Sequence, residues 1–141
     1  MTDVVKRRER IARVRRVEHM QAAAAAAQAE AQLGSLEQSA ARVLDLRLQL
    51  TSGVGTTSAE TLAARGELAH RLDLARFGLA DAIAGARAVV DGKAAERVAA
   101  RIRQESAERL VGRAQHDEDA LAEKRAGAHA RVKSPRFMGE A

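Results

Sequence analysis

Aromatic side chains are almost absent from this chain of 141 residues. Phe77 and Phe137 are the only two, and neither tryptophan nor tyrosine occurs. Hydrophobic residues make up 46% of the sequence, but alanine dominates that share and buries little apolar surface per residue. The chain therefore lacks the material for a thick globular core, and we expect a narrow contact layer between long helices.

Cysteine is also absent, which excludes disulfides and metal sites built from thiolates. No run approaches the roughly 20 apolar residues that a membrane-spanning helix requires. The positively charged N-terminal segment is not followed by the leucine-rich stretch of a signal peptide, so we expect a cytoplasmic protein.

The helix-forming sequence is clearly interrupted only at residues 51–58, where Gly53 and Gly55 stand among threonine and serine. Glycine permits backbone angles that other residues resist, and Ser and Thr side chains compete for helical hydrogen bonds. Thr57 and Glu60 predict a capping box at the start of the second helix, in which Thr57 accepts a hydrogen bond from the Glu60 amide.

These signals predict an all-α fold, a long antiparallel two-helix coiled-coil hairpin that forms a single domain over residues 1–141. Pro135 stops any helix, and we expect a frayed tail around it. The predicted parts are helix 1 at about residues 3–50, the bend at 51–58, helix 2 at about 58–130 and the tail at 131–141.

Apolar residues recur at spacings of three and four in both helices, as in the contact line of a coiled coil. In helix 1 the line contains Leu33, Leu36, Ala40, Val43 and Leu50, with Arg47 at the one step that breaks it. Ile11 and Val14 are out of phase with it, so we predict that the line shifts around the alanine tract at 22–27. In helix 2 the predicted contact residues are Leu68, Leu72, Ala75, Leu79, Ile83, Ala86 and Val90, followed with gaps by Val98, Ile102, Leu110, Ala114 and Leu121.

Basic residues cluster in the first 18 positions, where seven of them face three acidic residues. At about 1.5 Å per residue, helix 1 is expected to span roughly 70 Å and helix 2 roughly 110 Å. If the helices start level at the bend, helix 2 overhangs helix 1 by roughly 35 Å, beginning near Glu108. Both termini then form one positively charged end, together with Lys124, Arg125, Arg131, Lys133 and Arg136.

Three glycines interrupt helix 2 at steps of seven, namely Gly78, Gly85 and Gly92. This spacing places them on one stripe, where the partner helix or another protein can approach closely. The alternative is that an exposed face tolerates glycine without any partner.

Chemistry-bearing residues are scattered along the chain, and none of the four histidines has a second histidine at helical i, i+4 spacing. His116, Asp117, Glu118 and Asp119 are consecutive, so on a helix they point in different directions and predict a solvated polar patch. Gly53 and Gly55 are followed by threonines and no lysine, which excludes a phosphate-binding loop of the Walker type. We therefore predict a protein that is not an enzyme and uses no cofactor, metal or small-molecule substrate.

Three stretches carry a family resemblance: KRRERIARVRRVEHMQ, SAETLAARGELAHRLDLAR and AERLVGRAQHDEDALAEKR. With the Ala/Gln/Glu-rich first helix and the short bend, they extend over roughly Lys6 to Arg125. On these residues the chain resembles the FliJ family of flagellar export proteins, which is related to the stalk proteins of virulence type III secretion systems.

The resemblance implies a component of the flagellar type III protein export apparatus, acting in flagellum biogenesis, motility and chemotaxis. A FliJ-like stalk inserts the end with both termini into the export ATPase ring and couples it to the export gate, a membrane protein, and to export chaperones. It lies in the cytoplasm and is peripheral at the cytoplasmic face of the inner membrane. Carried onto this chain, the ATPase-binding candidates are Arg7, Arg8, Arg10, Arg13, Arg15, Arg16, Lys124 and Arg125, and the export-gate contact candidates are Leu74 and Phe77.

Two other functions remain open. A basic coiled coil also suits nucleic acid, although this chain lacks aromatic stacking platforms and zinc-finger spacing, and no heptad zipper directly follows its basic region. A homo-oligomeric structural coiled coil is the second alternative.

Overall fold

A computed structural model describes residues 2–52 and 55–133. Helix α1 spans Asp3–Thr51 and helix α2 spans Ala59–Lys133. The two helices pack against each other, which confirms the prediction of an all-α two-helix hairpin. Pro135 and the rest of the segment 134–141 lie outside the described residues, as do Gly53 and Val54.

The C-terminal end of α2 lies beyond the predicted limit near residue 130. Arg131, Val132 and Lys133 are helical, so the predicted tail from residue 131 begins too early. Alanines at 126, 128 and 130 favour the helix, and the two basic residues of the last turn interact favourably with the helix dipole.

Hydrogen bonds at the start of α2 identify Ser58 as its N-cap. The Ser58 Oγ accepts a hydrogen bond from the Thr61 amide at 3.2 Å and lies 2.8 Å from Thr61 Oγ1. The Ser58 carbonyl accepts the first helical bond, from the Leu62 amide at 3.0 Å. The predicted capping box on Thr57 and Glu60 is therefore wrong by one residue, because serine and threonine both cap well and only geometry separates neighbours.

The contacts within the chain group into two compact units, and the single domain stays a prediction. The terminal unit comprises Met1–Met20 and Ala99–Ala141, and the bend unit comprises Gln21–Val98. Each unit consists of one stretch of α1 packed on one stretch of α2.

The least exposed residues of α1 recur at steps of three and four without interruption. The predicted shift of this contact line at the alanine tract is wrong, because the in-phase residues before it are not Ile11 and Val14, which are exposed. The actual line consists of Val5, Arg8, Ala12, Arg15, His19, Ala22, Ala26, Ala29, Leu33, Leu36, Ala40, Val43, Arg47 and Leu50, all of them buried or half-buried.

In the terminal unit, small side chains of α2 face α1. Ala100, Ala107 and Ala114 are buried, and half-buried Gln104 and Val111 continue their spacing. Alanine at these positions lets two helices approach closely. Of the residues predicted for this part of the contact line, only Ala114 is buried; Ile102, Leu110 and Leu121 are exposed, as is Val98 at the end of the bend unit.

In the bend unit, the predicted contact line is largely correct. Larger side chains meet there, and five of the predicted residues of α2 are half-buried, namely Leu72, Leu79, Ile83, Ala86 and Val90. Leu68 and Ala75 are exposed, contrary to the prediction; Leu68 lies one position before half-buried Ala69.

The two helices do not start level at the bend. In the bend unit, Arg47 Nε lies 3.1 Å from Asp73 Oδ1, which places the end of α1 opposite about the tenth residue of α2. The residues 59–64 are accordingly exposed. The connection 52–58 is long enough to run along these first turns, and its Gly55 has a φ of 151°, which favours glycine.

In the terminal unit the helices remain paired well past the predicted start of the overhang near Glu108. Glu108 itself lies 3.2 Å from Arg16, and the Thr2 amide donates a hydrogen bond of 3.1 Å to Glu118 Oε1. The overhang of α2 in this unit therefore begins after Glu118. Residues 121–133 of α2 are exposed throughout.

The three glycines spaced by seven face open space. A Cβ atom built on Gly78, Gly85 or Gly92 meets nothing within 4 Å. The expectation that the partner helix approaches there is wrong, because this stripe lies away from the contact line. An approach by another protein stays a prediction.

We expect Ser58→Ala to weaken the first turn of α2, because it removes the acceptor of the Thr61 amide. The expected cost is about 1 kcal/mol. Hydrogen exchange of the Thr61 and Leu62 amides measures it, and Thr57→Ala is the matched control. If these amides exchanged faster in Thr57→Ala than in Ser58→Ala, Thr57 and not Ser58 would be the N-cap residue.

Gln104 gives a second prediction, since its Oε1 is buried without a hydrogen-bond partner among the described residues. Its Nε2 donates to Glu108 Oε1 at 3.0 Å. Relieving an unsatisfied buried oxygen should outweigh the loss of that exposed bond, so Gln104→Leu should raise the free energy of unfolding by about 1 kcal/mol. Thermal unfolding followed by circular dichroism measures the change. Gln38→Leu, at an exposed position with no side-chain hydrogen bond to a described residue, is the control, and a lower melting temperature for Gln104→Leu than for this control would contradict the prediction.

Candidate partner-binding surfaces

Positive charge is concentrated in one of the two units. The described residues of the terminal unit include 15 basic and 9 acidic side chains, a balance of +6. Those of the bend unit include 8 basic and 9 acidic side chains, a balance of −1. An excess of this size on one unit attracts and orients acidic partners.

The arginines that the sequence assigns to ATPase binding differ in how they are engaged. Arg15 pairs with Glu18 at 2.9 Å, and Arg16 pairs with Glu108. Arg8 donates a hydrogen bond of 3.0 Å to the main-chain carbonyl of Leu110. Within the described part of the chain, no ion pair engages the remaining cations of this segment, which are Lys6, Arg7, Arg10 and Arg13. These four are available to a partner.

The sequence suggested that Lys124 and Arg125 lie opposite the α1 arginines, but they do not. The bond between Thr2 and Glu118 marks where α1 begins along α2. Lys124 and Arg125 follow Glu118 by six and seven residues, which places them about 10 Å further along the α2 axis. They belong to the exposed overhang and can contact only a surface that reaches past the start of α1.

Two carboxylates of α2 hold the α1 segment in register. The Gln104 side chain, and then Arg16, donate hydrogen bonds that lower the pKa of Glu108. The Thr2 backbone amide, which belongs to the N-cap residue of α1, lowers the pKa of Glu118. Both shifts arise because hydrogen bonds to a carboxylate favour its charged form.

Leu74 and Phe77, the candidate contacts for an export gate, are both exposed on α2 of the bend unit. The Phe77 side chain is 72% exposed and borders a surface cavity of about 340 Å³ with Asp73, Arg76 and Ala80. An exposed phenylalanine on a chain with so few aromatics is a candidate anchor for a partner.

Sequence reasoning missed the exposed leucines of α1 in the same unit, Leu44, Leu46 and Leu48. Arg47 contacts Asp73, one turn before Phe77, so the adjacent Leu48 lies at about the same level along the helix axes as the candidate contacts on α2. The signal was present in the sequence, because leucines at every second position, 44 to 50, cannot all face one stripe of a helix.

The described residues contain no group of three or more side chains that could hold a metal ion. Among them no helix is long and apolar enough to cross a membrane. A search of protein-family models, curated proteins and solved structures found no match to this chain. The functional argument therefore depends on the surfaces described above.

We expect the stability of the chain to fall in acid through Glu108 and Glu118. Because folding lowers both pKa values, their contribution is present above the ordinary carboxyl range, near pH 4.5, and is lost as the pH falls through the lowered values. Urea unfolding between about pH 6 and pH 3 measures the loss.

The variant Glu108→Gln with Glu118→Gln should show a shallower decline over the same range. Glu123→Gln is the control, since it removes one carboxylate of the exposed overhang. If this control flattened the pH dependence as much as the double variant, the two hydrogen-bonded carboxylates would not be its cause.

Proposed function

We propose that this chain is a coiled-coil stalk and adaptor of a bacterial type III export apparatus. The terminal unit inserts into the ring of an export ATPase, and the chain transmits the action of that ring to other parts of the apparatus. The observation that supports this proposal is the set of free cations, Lys6, Arg7, Arg10 and Arg13, on a narrow two-helix element. A narrow, rigid and positively charged element suits a ring opening lined by acidic groups.

The proposed mechanism is electrostatic and mechanical, and it involves no catalytic residue of this chain. Charge attraction speeds the encounter of the terminal unit with the ring and orients its entry. The helices then transmit displacement, because backbone hydrogen bonds within each helix resist compression and bending.

The adaptor part of the proposal places an export-gate membrane protein at Leu74 and Phe77, with Leu48 as an additional contact. Export chaperones are further proposed partners. The chain would then work in the cytoplasm, at the inner face of the membrane, through these partners. The proposal covers flagellar and virulence systems alike.

Arg13→Glu tests the ring contact. Arg13 forms no ion pair with any described residue, so its reversal removes attraction to the ring without breaking a contact between the helices. We expect the association rate with a purified export ATPase to fall about tenfold at low salt, and less at high salt. Surface plasmon resonance at two salt concentrations measures both.

Arg42→Glu is the matched control, since it makes the same charge change in the bend unit and should leave the association rate nearly unchanged. Equal losses in the two variants would show a general charge effect and would contradict the ring contact. Binding of a mixed-sequence DNA duplex with the same dependence on Arg13 would instead favour the nucleic-acid alternative.

A further inference from the structure

The two sides of the contact line in the terminal unit differ in chemistry. On the first side, Arg16 pairs with Glu108 and the Gln115 amide donates to Glu9 at 3.4 Å. We call this side, made of Glu9, Arg16, Glu108 and Gln115, the paired flank. Its polar groups satisfy one another across the two helices, so it is closed by contacts within the chain.

On the opposite side the Arg8 guanidinium donates a hydrogen bond to the Leu110 carbonyl, and most of the neighbouring side chains are apolar. Val4 and Ile11 of α1 lie one position before the contact residues Val5 and Ala12, and Val14 lies one turn beyond Ile11. The register fixed by Arg16 and Glu108 places Leu110 of α2 opposite Ile11. We call this side, made of Val4, Ile11, Val14 and Leu110, the apolar flank; all four side chains are exposed.

Two surface cavities border the apolar flank. One, of about 310 Å³, lies on α1 alone and is lined by Ile11 and Val14 together with Arg10, Arg15 and Glu18. The second, of about 240 Å³, lies between the helices and is lined by Thr2, Val4 and Arg8 on one side and by Ala114, Asp117, Glu118 and Leu121 of α2 on the other. Of these two hollows, the one beside Val4 follows the line where α1 and α2 meet.

The spacing of these side chains suits another helix. Val4, Ile11 and Val14 are separated by seven and three residues, the repeat with which helices of a coiled coil meet a neighbour. The contact line of α1 already uses a different set of residues against α2. α1 thus carries a second line of apolar side chains that no described part of the chain covers.

The charged residues beside the apolar flank indicate which kind of helix it binds. Arg7 stands between Val4 and Ile11 on α1, and Arg113 follows Leu110 by one turn on α2. Neither forms an ion pair within residues 2–52 and 55–133. A helix lying in the apolar flank would have these two guanidinium groups on either side of it, where carboxylates pair best.

We propose that the apolar flank of the terminal unit binds an acidic amphipathic helix of a partner protein, forming a local three-helix bundle. Leucine-type side chains of the partner helix enter the hollows beside Ile11 and Val4, and its flanking carboxylates meet Arg7 and Arg113. A second copy of this chain is disfavoured as the occupant, because two terminal units would each bring a balance of +6. A lipid surface is disfavoured beside Val4, where the hollow lies between two helices.

This proposal does not rest on the ring contact. Arg7 is common to both surfaces, but Arg13 lies two residues beyond Ile11, about 200° away around the helix axis, so a change at Arg13 or at Ile11 alters one surface and leaves the other intact. Failure of one proposal leaves the other standing.

The test uses the full chain and a synthetic probe peptide. The probe has about three heptads, with leucine at the a and d positions and glutamate at the flanking positions. Fluorescence anisotropy of the labelled probe measures binding. We expect saturable binding that weakens with salt, and no binding of a peptide with the same composition in scrambled order.

Ile11→Asp is the decisive variant, and Val17→Asp is its matched control. Both residues are apolar and similarly exposed on α1, at 45% and 52%, but Val17 lies outside the apolar flank. We expect Ile11→Asp to weaken probe binding at least about tenfold and Val17→Asp to change it less than about twofold. Leu110→Asp and Ile102→Asp repeat the comparison on α2. Circular dichroism confirms that each variant keeps its helices.

Three results would overturn the proposal. The first is absence of probe binding at low salt. The second is an equal loss in Ile11→Asp and Val17→Asp, which would show attraction without a defined groove. The third is a different occupant whose binding depends on Ile11. It would be seen either as binding to vesicles of anionic phospholipid that Ile11→Asp abolishes, or as a dimer in sedimentation that Ile11→Asp abolishes.

Discussion

The close approach of two helices through alanine is the constraint on which the terminal unit depends. Ala12 on α1 and Ala100, Ala107 and Ala114 on α2 are buried, and side chains of this size keep the helix axes near each other. A contact layer so thin admits few larger apolar side chains, and Val5 and Val111 are the valines that lie in it. Most of the other large apolar residues of the unit, such as Ile11 and Leu110, are displaced to its outside, where they become available to a partner.

That displacement explains why the fold was predictable and the contact line was not. Alanine-rich composition and the glycines near residue 55 suffice to predict two helices joined by a bend, since both act locally. To predict the contact line, one must decide whether a strongly apolar residue such as Ile11 or a weakly apolar neighbour such as Ala12 faces the other helix. Hydrophobicity favours Ile11, whereas helix spacing, a property of the packed pair, selects Ala12.

The candidate surfaces divide in the same way. The excess of basic residues near the N-terminus and the lone Phe77 are visible in the sequence. The sequence does not show which of the cations lack an ion-pair partner, because Arg16 pairs with a residue 92 positions away, on the other helix. The difference between the paired and apolar flanks also depends on the register of α1 against α2. That register is set by bonds between distant residues, such as the one from Thr2 to Glu118.

The repetition of alanine has a consequence for sliding. A shift of α2 along α1 by one heptad would replace Ala107 with Ala100 or Ala114, so apolar packing barely distinguishes the neighbouring positions. The polar contacts distinguish them, because Arg16 would lose Glu108 and the Thr2 amide would lose Glu118. In the terminal unit these few bonds select one axial register of the two helices, because the alanine packing alone would tolerate several registers.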